Sequence, residues 1–182
     1  MTVPRVPAVP VPDPAGNGCH HDGTPGHFDE RARRLAHEEL AVARRLAAEG
    51  HDVSSLPCRP GQGRTADLEV CGRPVEVKSF SALTERPGGP PTAASVCNKL
   101  LRASRQADVA VVWAAGSGLD EREARRGLDL FAARGGWAQM ASARVLGDGF
   151  DLGWAGPTPQ VAPVVARPAP VTRRARHRGL GL

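Results

Sequence analysis

The stretch Thr65–Phe80, TADLEVCGRPVEVKSF, decides the fold. Two runs alternate apolar and polar residues and meet at Cys71-Gly72, the pattern of a β-hairpin closed by a two-residue loop. With that loop, Asp67 sits opposite Glu76 and Thr65 opposite Lys78, and side chains so opposed lie about 4.5–5.5 Å apart at Cβ. Leu68, Val70, Val75 and Val77 fill the other face. Lys78 stands out by composition. It is one of two lysines, Lys99 being the other, and the remaining basic residues of the 24 are all arginine.

Two carboxylates forced together repel, so protonation or a cation must compensate. A divalent ion between Asp67 and Glu76 does so, and hard oxygen ligands favour Mg²⁺ or Mn²⁺ over zinc. Lys78 projects to the same side, where an ammonium can hold an attacking water or stabilise charge on a phosphate. Arginine is wider, planar and always protonated, which is a reason to keep lysine there. The alternative is a hairpin with one solvated face, on which Asp67, Glu76 and Lys78 form ordinary cross-strand ion pairs. A one-residue slip of register would also move Asp67 to the opposite face.

Outward from the hairpin, the chain alternates helical and strand patterns. Phe28–Glu49 is predicted as one long helix ended by Gly50, and His51–Leu56 as a short strand. A loop, CRPGQGR, leads into the hairpin. Thr92–Ala107 is a second helix, and the apolar run Asp108–Ala115 is a buried central strand. Leu119–Arg134 is a third helix. Ser142–Leu146 and Phe150–Trp154 form another hairpin about Gly147-Asp148-Gly149. This order predicts an α/β fold with a mixed sheet flanked by helices.

The ends differ from the body. Residues 1–27 hold six prolines and read as an extended or disordered leader, and residues 157–182 run from a Pro-rich linker into a basic tail. The body between, 28–156, is one domain by size. The net charge is +5, but five arginines fall in Arg167–Leu182 with no acid; without them the basic count equals the 19 acids. That tail either contacts phosphates or merely solubilises the chain.

Cys19, Cys58, Cys71 and Cys97 show no CxxC pairing and read as free thiols in a reducing cytosol. Cys19, His20, His21 and His27 lack a second ligand pair at zinc-finger spacing and read as a polar arm. No apolar run is long enough for a membrane span, and the start is not a signal peptide. A chain of this length beginning with its own Met is expected to act as a separate cytoplasmic protein.

Both flanking helices carry polar residues beside apolar stripes. On the first, Glu39 falls within the stripe of Phe28, Leu35, Val42 and Leu46, where a carboxylate is costly unless paired or near a cation. It is expected to support the metal site. On the second, Val96, Leu100, Ala103 and Ala107 form the buried stripe. Lys99 and Gln106 run along its edge, with Arg102 just outside, as a helix border or a phosphate-contacting row.

The pattern Asp67-x8-Glu76-x-Lys78, preceded by a helix with Glu39, resembles the PD-(D/E)XK nuclease superfamily. TADLEVCGRPVEVKSF followed by NKLLRASRQADVAVV is more closely similar to the nuclease domains at the C-termini of contact-dependent growth inhibition toxins of the CdiA type, many of which cleave tRNA. The likeness covers about Arg33 to Ala115. One departure is Ala66, where proline is frequent before the aspartate.

The resemblance implies a restriction-endonuclease-like sheet and a Mg²⁺-dependent endonuclease. Asp67, Glu76 and the Val77 carbonyl would bind the metal, with Glu39 joining directly or through water, and Lys78 would be catalytic with the two hairpin acids. Lys99, Gln106, Arg102 and Arg64 would contact substrate. The partner would be nucleic acid, tRNA or DNA, and a cognate immunity protein is a further partner to look for. A non-catalytic nucleic-acid-binding module of the same fold is the alternative, though binding alone would not require the acid–acid–lysine set.

Overall fold

A computed structural model of the chain describes residues 24–57, 66–82 and 88–155. Among these residues seven strands form one mixed sheet in sequential order: β1 (Phe28–Asp29), β2 (Val53–Ser55), β3 (Leu68–Val70), β4 (Arg73–Ser79), β5 (Val109–Trp113), β6 (Ser142–Gly147) and β7 (Phe150–Ala155). Three helices flank it: α1 (His37–Ala48), α2 (Ala93–Ala103) and α3 (Glu121–Ala133). The expected α/β class, a mixed sheet flanked by helices, is therefore the one observed. None of the described helices is long and apolar enough to cross a membrane.

The sheet divides the core in two. Ala110 and Val112 of β5 point to the side covered by α2 and α3, with Val96, Leu100 and Phe131. Val109 and Val111 point to the side covered by α1, with Val42, Leu46 and Leu68. This double burial is why β5 reads as a continuous apolar run. Helices α2 and α3 approach closely because residue 127 is glycine: a Cβ there would lie 2.5 Å from Val96 Cβ. Parallel pairing of β4 with β5 and of β5 with β6 requires the crossovers that α2 and α3 supply.

The predicted hairpin register holds. Leu68 pairs with Val75, Glu69 with Pro74 and Val70 with Arg73. Cys71 and Gly72 both take positive φ, 49° and 78°, the backbone of a two-residue turn matched to strand twist. Pro74 lies one residue before the β4–β5 ladder starts at Val75, so its missing N–H costs no bond there.

Two expectations are corrected. The first helix does not run from Phe28: Phe28–Asp29 pairs in parallel with Val53–Ser54 as an edge strand, and α1 starts at His37. The apolar stripe carried across the boundary because Leu35 is buried without being helical. The four thiols are not all free. Cys97 is free and buried, but Cys71 is disulfide-bonded. Disulfides need Cα atoms about 4.4–6.8 Å apart, a tertiary condition that spacing along the chain does not reveal. Cys19, Cys58, the Pro-rich leader to residue 23 and the tail from 156 lie outside the described residues.

Candidate active site

The site forms where β3 separates from β4. A regular hairpin would continue pairing past Leu68 and Val75. Instead the Asp67 N–H donates to the Val75 carbonyl at 3.2 Å, and the Asp67 carboxylate accepts the Val77 N–H through Oδ2 at 3.0 Å. A side chain thus takes a donor that the ladder would have used, and the strands part around an acid. On the other flank, Leu56 N–H donates to the Asp67 carbonyl at 3.0 Å.

Glu76 follows on β4, facing the α2 side, with its side chain 1% exposed. Its Oε1 accepts from Lys78 Nζ two residues on. Its Oε2 is buried with no hydrogen-bond partner among the described residues. Burial pushes the Glu76 carboxyl up to about 7; Lys78 opposes that shift and the neighbouring Asp67 charge adds to it. Asp67 is likewise raised, first by burial and then by repulsion from Glu39, against the Val77 N–H, Arg33 and Lys78. Asp67 is thus close enough to Glu76 to oppose its ionisation.

Glu39 reaches the cluster from α1, and its position differs from the expected one. It stands in the first turn rather than mid-helix, where its Oε2 accepts the Ala36 N–H at 2.9 Å. This is half of a capping box, since Ala36 has no side-chain oxygen to return the bond. Burial alone would raise its pKa, but the Arg33 guanidinium and the Ala36 N–H hold it below the ordinary value.

Arg33 was not singled out from sequence, and it is central. Its Nη1 donates to Glu39 Oε2 and its Nη2 to Asp67 Oδ1, both at 2.8 Å. Its Nε donates to the Leu56 carbonyl at 3.2 Å, and its backbone N–H to Ser55 Oγ at 3.1 Å. Nothing in the run Arg31–Arg34 marks one arginine above the others; only the tertiary approach of β2, β3 and α1 selects it.

The candidate substrate residues are less closely gathered. Lys99 lies on α2 with Nζ 5.2 Å from the Phe80 ring centroid, just past the end of β4. Arg102 is exposed at the end of α2. Gln106 lies beyond that end, with a buried Oε1 that has no partner among the described residues. Neither Arg102 nor Gln106 hydrogen-bonds to Asp67, Glu76 or Lys78 among the described residues. Arg64 lies outside them.

The donor set can be tested for a cation. Among the described residues no group of three or more His, Cys, Asp or Glu side chains is placed to share an ion. Asp67 and Glu76 nevertheless offer paired hard oxygens, one of them unsatisfied. That arrangement fits an ion such as Mg²⁺, which keeps waters and takes one or two protein carboxylates plus substrate oxygens. Glu39 is committed to Arg33 and to the start of α1. A separate groove on the α1 side, walled mainly by apolar residues such as Leu46, Val70, Val75 and Val109, contains none of these acids.

No family model matches the chain, and no curated protein does. Among solved structures it is similar to one chain of the CdiA-CT/CdiI toxin and immunity complex from Burkholderia pseudomallei, with a TM-score of 0.49 and 18% identity over 71% of this chain and 99% of that one.

Proposed function

We propose that this chain is a Mg²⁺- or Mn²⁺-dependent endonuclease of PD-(D/E)XK chemistry, hydrolysing phosphodiester bonds in nucleic acid. The observation that carries the reading is Glu76. A carboxylate 1% exposed, with one oxygen unpartnered among the described residues and an aspartate beside it, is costly for stability alone and suited to holding a cation. Asp67 and Glu76 would hold the ion, with the Val77 carbonyl as the further backbone candidate. When bound, a divalent ion supplies Lewis acidity toward a phosphate and a more acidic water.

The chain's own residues do the rest. Among the described residues, Lys78 is the cation that donates to Glu76. Its ammonium, beside Glu76 Oε1, would orient the attacking water and offset charge on the phosphate. Asp67 is fixed by the Val77 N–H and by Arg33, so its orientation is set before substrate arrives. Glu39 serves by holding Arg33 and capping α1. Lys99, Arg102 and Gln106, with Arg64 from the preceding loop, are proposed to meet the substrate backbone. Transfer RNA is the first substrate to test, and an immunity protein that covers the site is a proposed partner; a cytoplasmic place of action goes with both.

The test is incubation of purified protein with tRNA, single-stranded DNA and duplex DNA, each with Mg²⁺ or EDTA. Cleavage of at least one substrate that EDTA abolishes is expected. Binding without cleavage in Mg²⁺ and in Mn²⁺ would instead assign the chain to the non-catalytic binding modules.

A further inference from the structure

We infer that Arg33 stands where a second cation would otherwise bridge the acids, so that the cluster takes a single divalent ion, held between Asp67 and Glu76. The inference rests on the metal-dependent reading above. The two 2.8 Å hydrogen bonds of Arg33, to Glu39 Oε2 and Asp67 Oδ1, span carboxylates on different elements, as a bridging ion would. The guanidinium is also anchored by neutral partners, the carbonyls of Leu56 at 3.2 Å and of Asp67 at 3.4 Å. It cannot lose its proton in a protein, so the charge at that point is permanent.

The two ends of the cluster therefore differ. Toward α1, Glu39 and Asp67 Oδ1 are already bridged by a cation built into the chain. Toward β4, Glu76 Oε2 is buried and unpartnered among the described residues, and Asp67 Oδ2 accepts one N–H and has lone-pair capacity left. With all three acids ionised, as ion binding requires, and Arg33 and Lys78 counted, the cluster carries one net negative charge. One divalent ion inverts that sign and prepares the site for a phosphate. A second would sit against the guanidinium and be repelled by it. Among the described residues no three such acids are placed to share an ion, which agrees with a site of two carboxylates.

The test counts ions on the full chain by titrating Mn²⁺ and reading bound metal by calorimetry and electron paramagnetic resonance. Wild type should bind one Mn²⁺, and Glu76→Gln should lose it. Glu39→Gln should keep that ion, with affinity weakened by no more than about threefold, since Glu39 acts on it only through charge. Arg33→Met should gain a second Mn²⁺, which the double variant with Glu39→Gln should lose. Two ions on wild type, a single ion on folded Arg33→Met, or a loss of about tenfold or more in Glu39→Gln overturns the inference and leaves metal dependence standing. No Mn²⁺ on wild type would remove the metal-dependent reading itself, and this inference with it. Circular dichroism establishes whether Arg33→Met folds; if it does not, the wild-type and Glu39→Gln titrations decide alone.

Discussion

The two hairpins of the sheet begin alike and end differently. Each is closed by a two-residue loop with glycine at positive φ, Gly72 in one and Gly149 in the other. The β6–β7 hairpin stays paired from Gly147–Phe150 to Ser142–Ala155. The β3–β4 hairpin stops after three pairs, where Asp67 turns its carboxylate onto the Val77 N–H.

Beside each hairpin an arginine sits between two carboxylates, Arg33 from the segment before α1 in one case and Arg144 of β6 in the other. Arg144 of β6 donates to Asp151 Oδ1 and Glu49 Oε1, both at 2.8 Å, and Arg45 pairs with the same two acids. Charges there cancel. Burial would raise the Glu49 pKa, but Arg144 and Arg45 hold it below its ordinary value. Around β3–β4 the acids outnumber the cations, and Glu76 is pushed up to about 7 instead. A balanced cluster staples a structure. An unbalanced one, buried and partly unsatisfied, marks a candidate functional site.

The sharpest break of this comparison is at Lys78. Lys78→Ala should lower cleavage per folded molecule by about 10²–10⁴-fold, a loss separate from whatever stability goes when buried Glu76 loses its ammonium partner. Lys78→Arg should not restore the rate. Assays on melted and unmelted samples of both variants check this, and wild-type turnover by Lys78→Ala would remove Lys78 from the chemistry.

The opposite outcome is expected at the other hairpin. Arg144 is 11% exposed, and Arg144→Met leaves Glu49 and Asp151 with the exposed Arg45 alone, which should cost about 2–3 kcal/mol, read by denaturant titration. Cleavage per folded molecule should not change. A large loss of turnover in folded Arg144→Met would mean that both clusters serve the reaction.

The pH dependence should also separate them. The folded Glu76 carboxyl holds its proton to about 7, whereas in the unfolded chain it releases it near 4.5. Across that window the unfolded chain binds fewer protons, so this group makes the metal-free protein less stable as pH rises, by about 1–3 kcal/mol. Glu49 has the opposite sign: its stabilisation is present above the ordinary carboxyl range and is lost on acidification. Melts of wild type and Glu76→Gln from pH 4 to pH 8, in EDTA, should therefore diverge, with wild type falling relative to the variant. Parallel curves would show that Glu76 ionises normally.

The smallest effect on turnover is expected from the tail. Deleting Arg167–Leu182 removes five arginines from a chain whose other charges balance. Each phosphate that the truncated chain no longer neutralises should flatten the salt slope of log affinity by about 0.7–0.9. Saturated turnover should stay near wild type. Binding to labelled tRNA across a salt series measures the slope, and an unchanged slope would mean that the tail does not touch phosphate.

Much of the site was legible because hairpin chemistry is local. Cys71-Gly72 set the loop, the loop set the register, and alternation placed Leu68, Val75 and Val77 on one face and Glu76 with Lys78 on the other; that Glu76 is itself buried was not legible. Glu39 was found by a helical periodicity extended too far: it is in the cluster, but at the first turn of a shorter helix. Arg33 was not legible, being one arginine among many until α1, β2 and β3 converge on it.

What the sequence determined by itself was therefore what depends on neighbours a few residues away: the class of fold, the order of its elements from the first helix onward, the hairpin register and the acid–acid–lysine set. Tertiary structure alone decided how those groups are satisfied. Whether Glu76 keeps an oxygen unpartnered, which arginine sits between Glu39 and Asp67, and that Cys71 is disulfide-bonded all depend on segments distant in sequence meeting in space. Burial and charge pairing are properties of that meeting, since desolvation acts on a group only once the rest of the chain has closed over it.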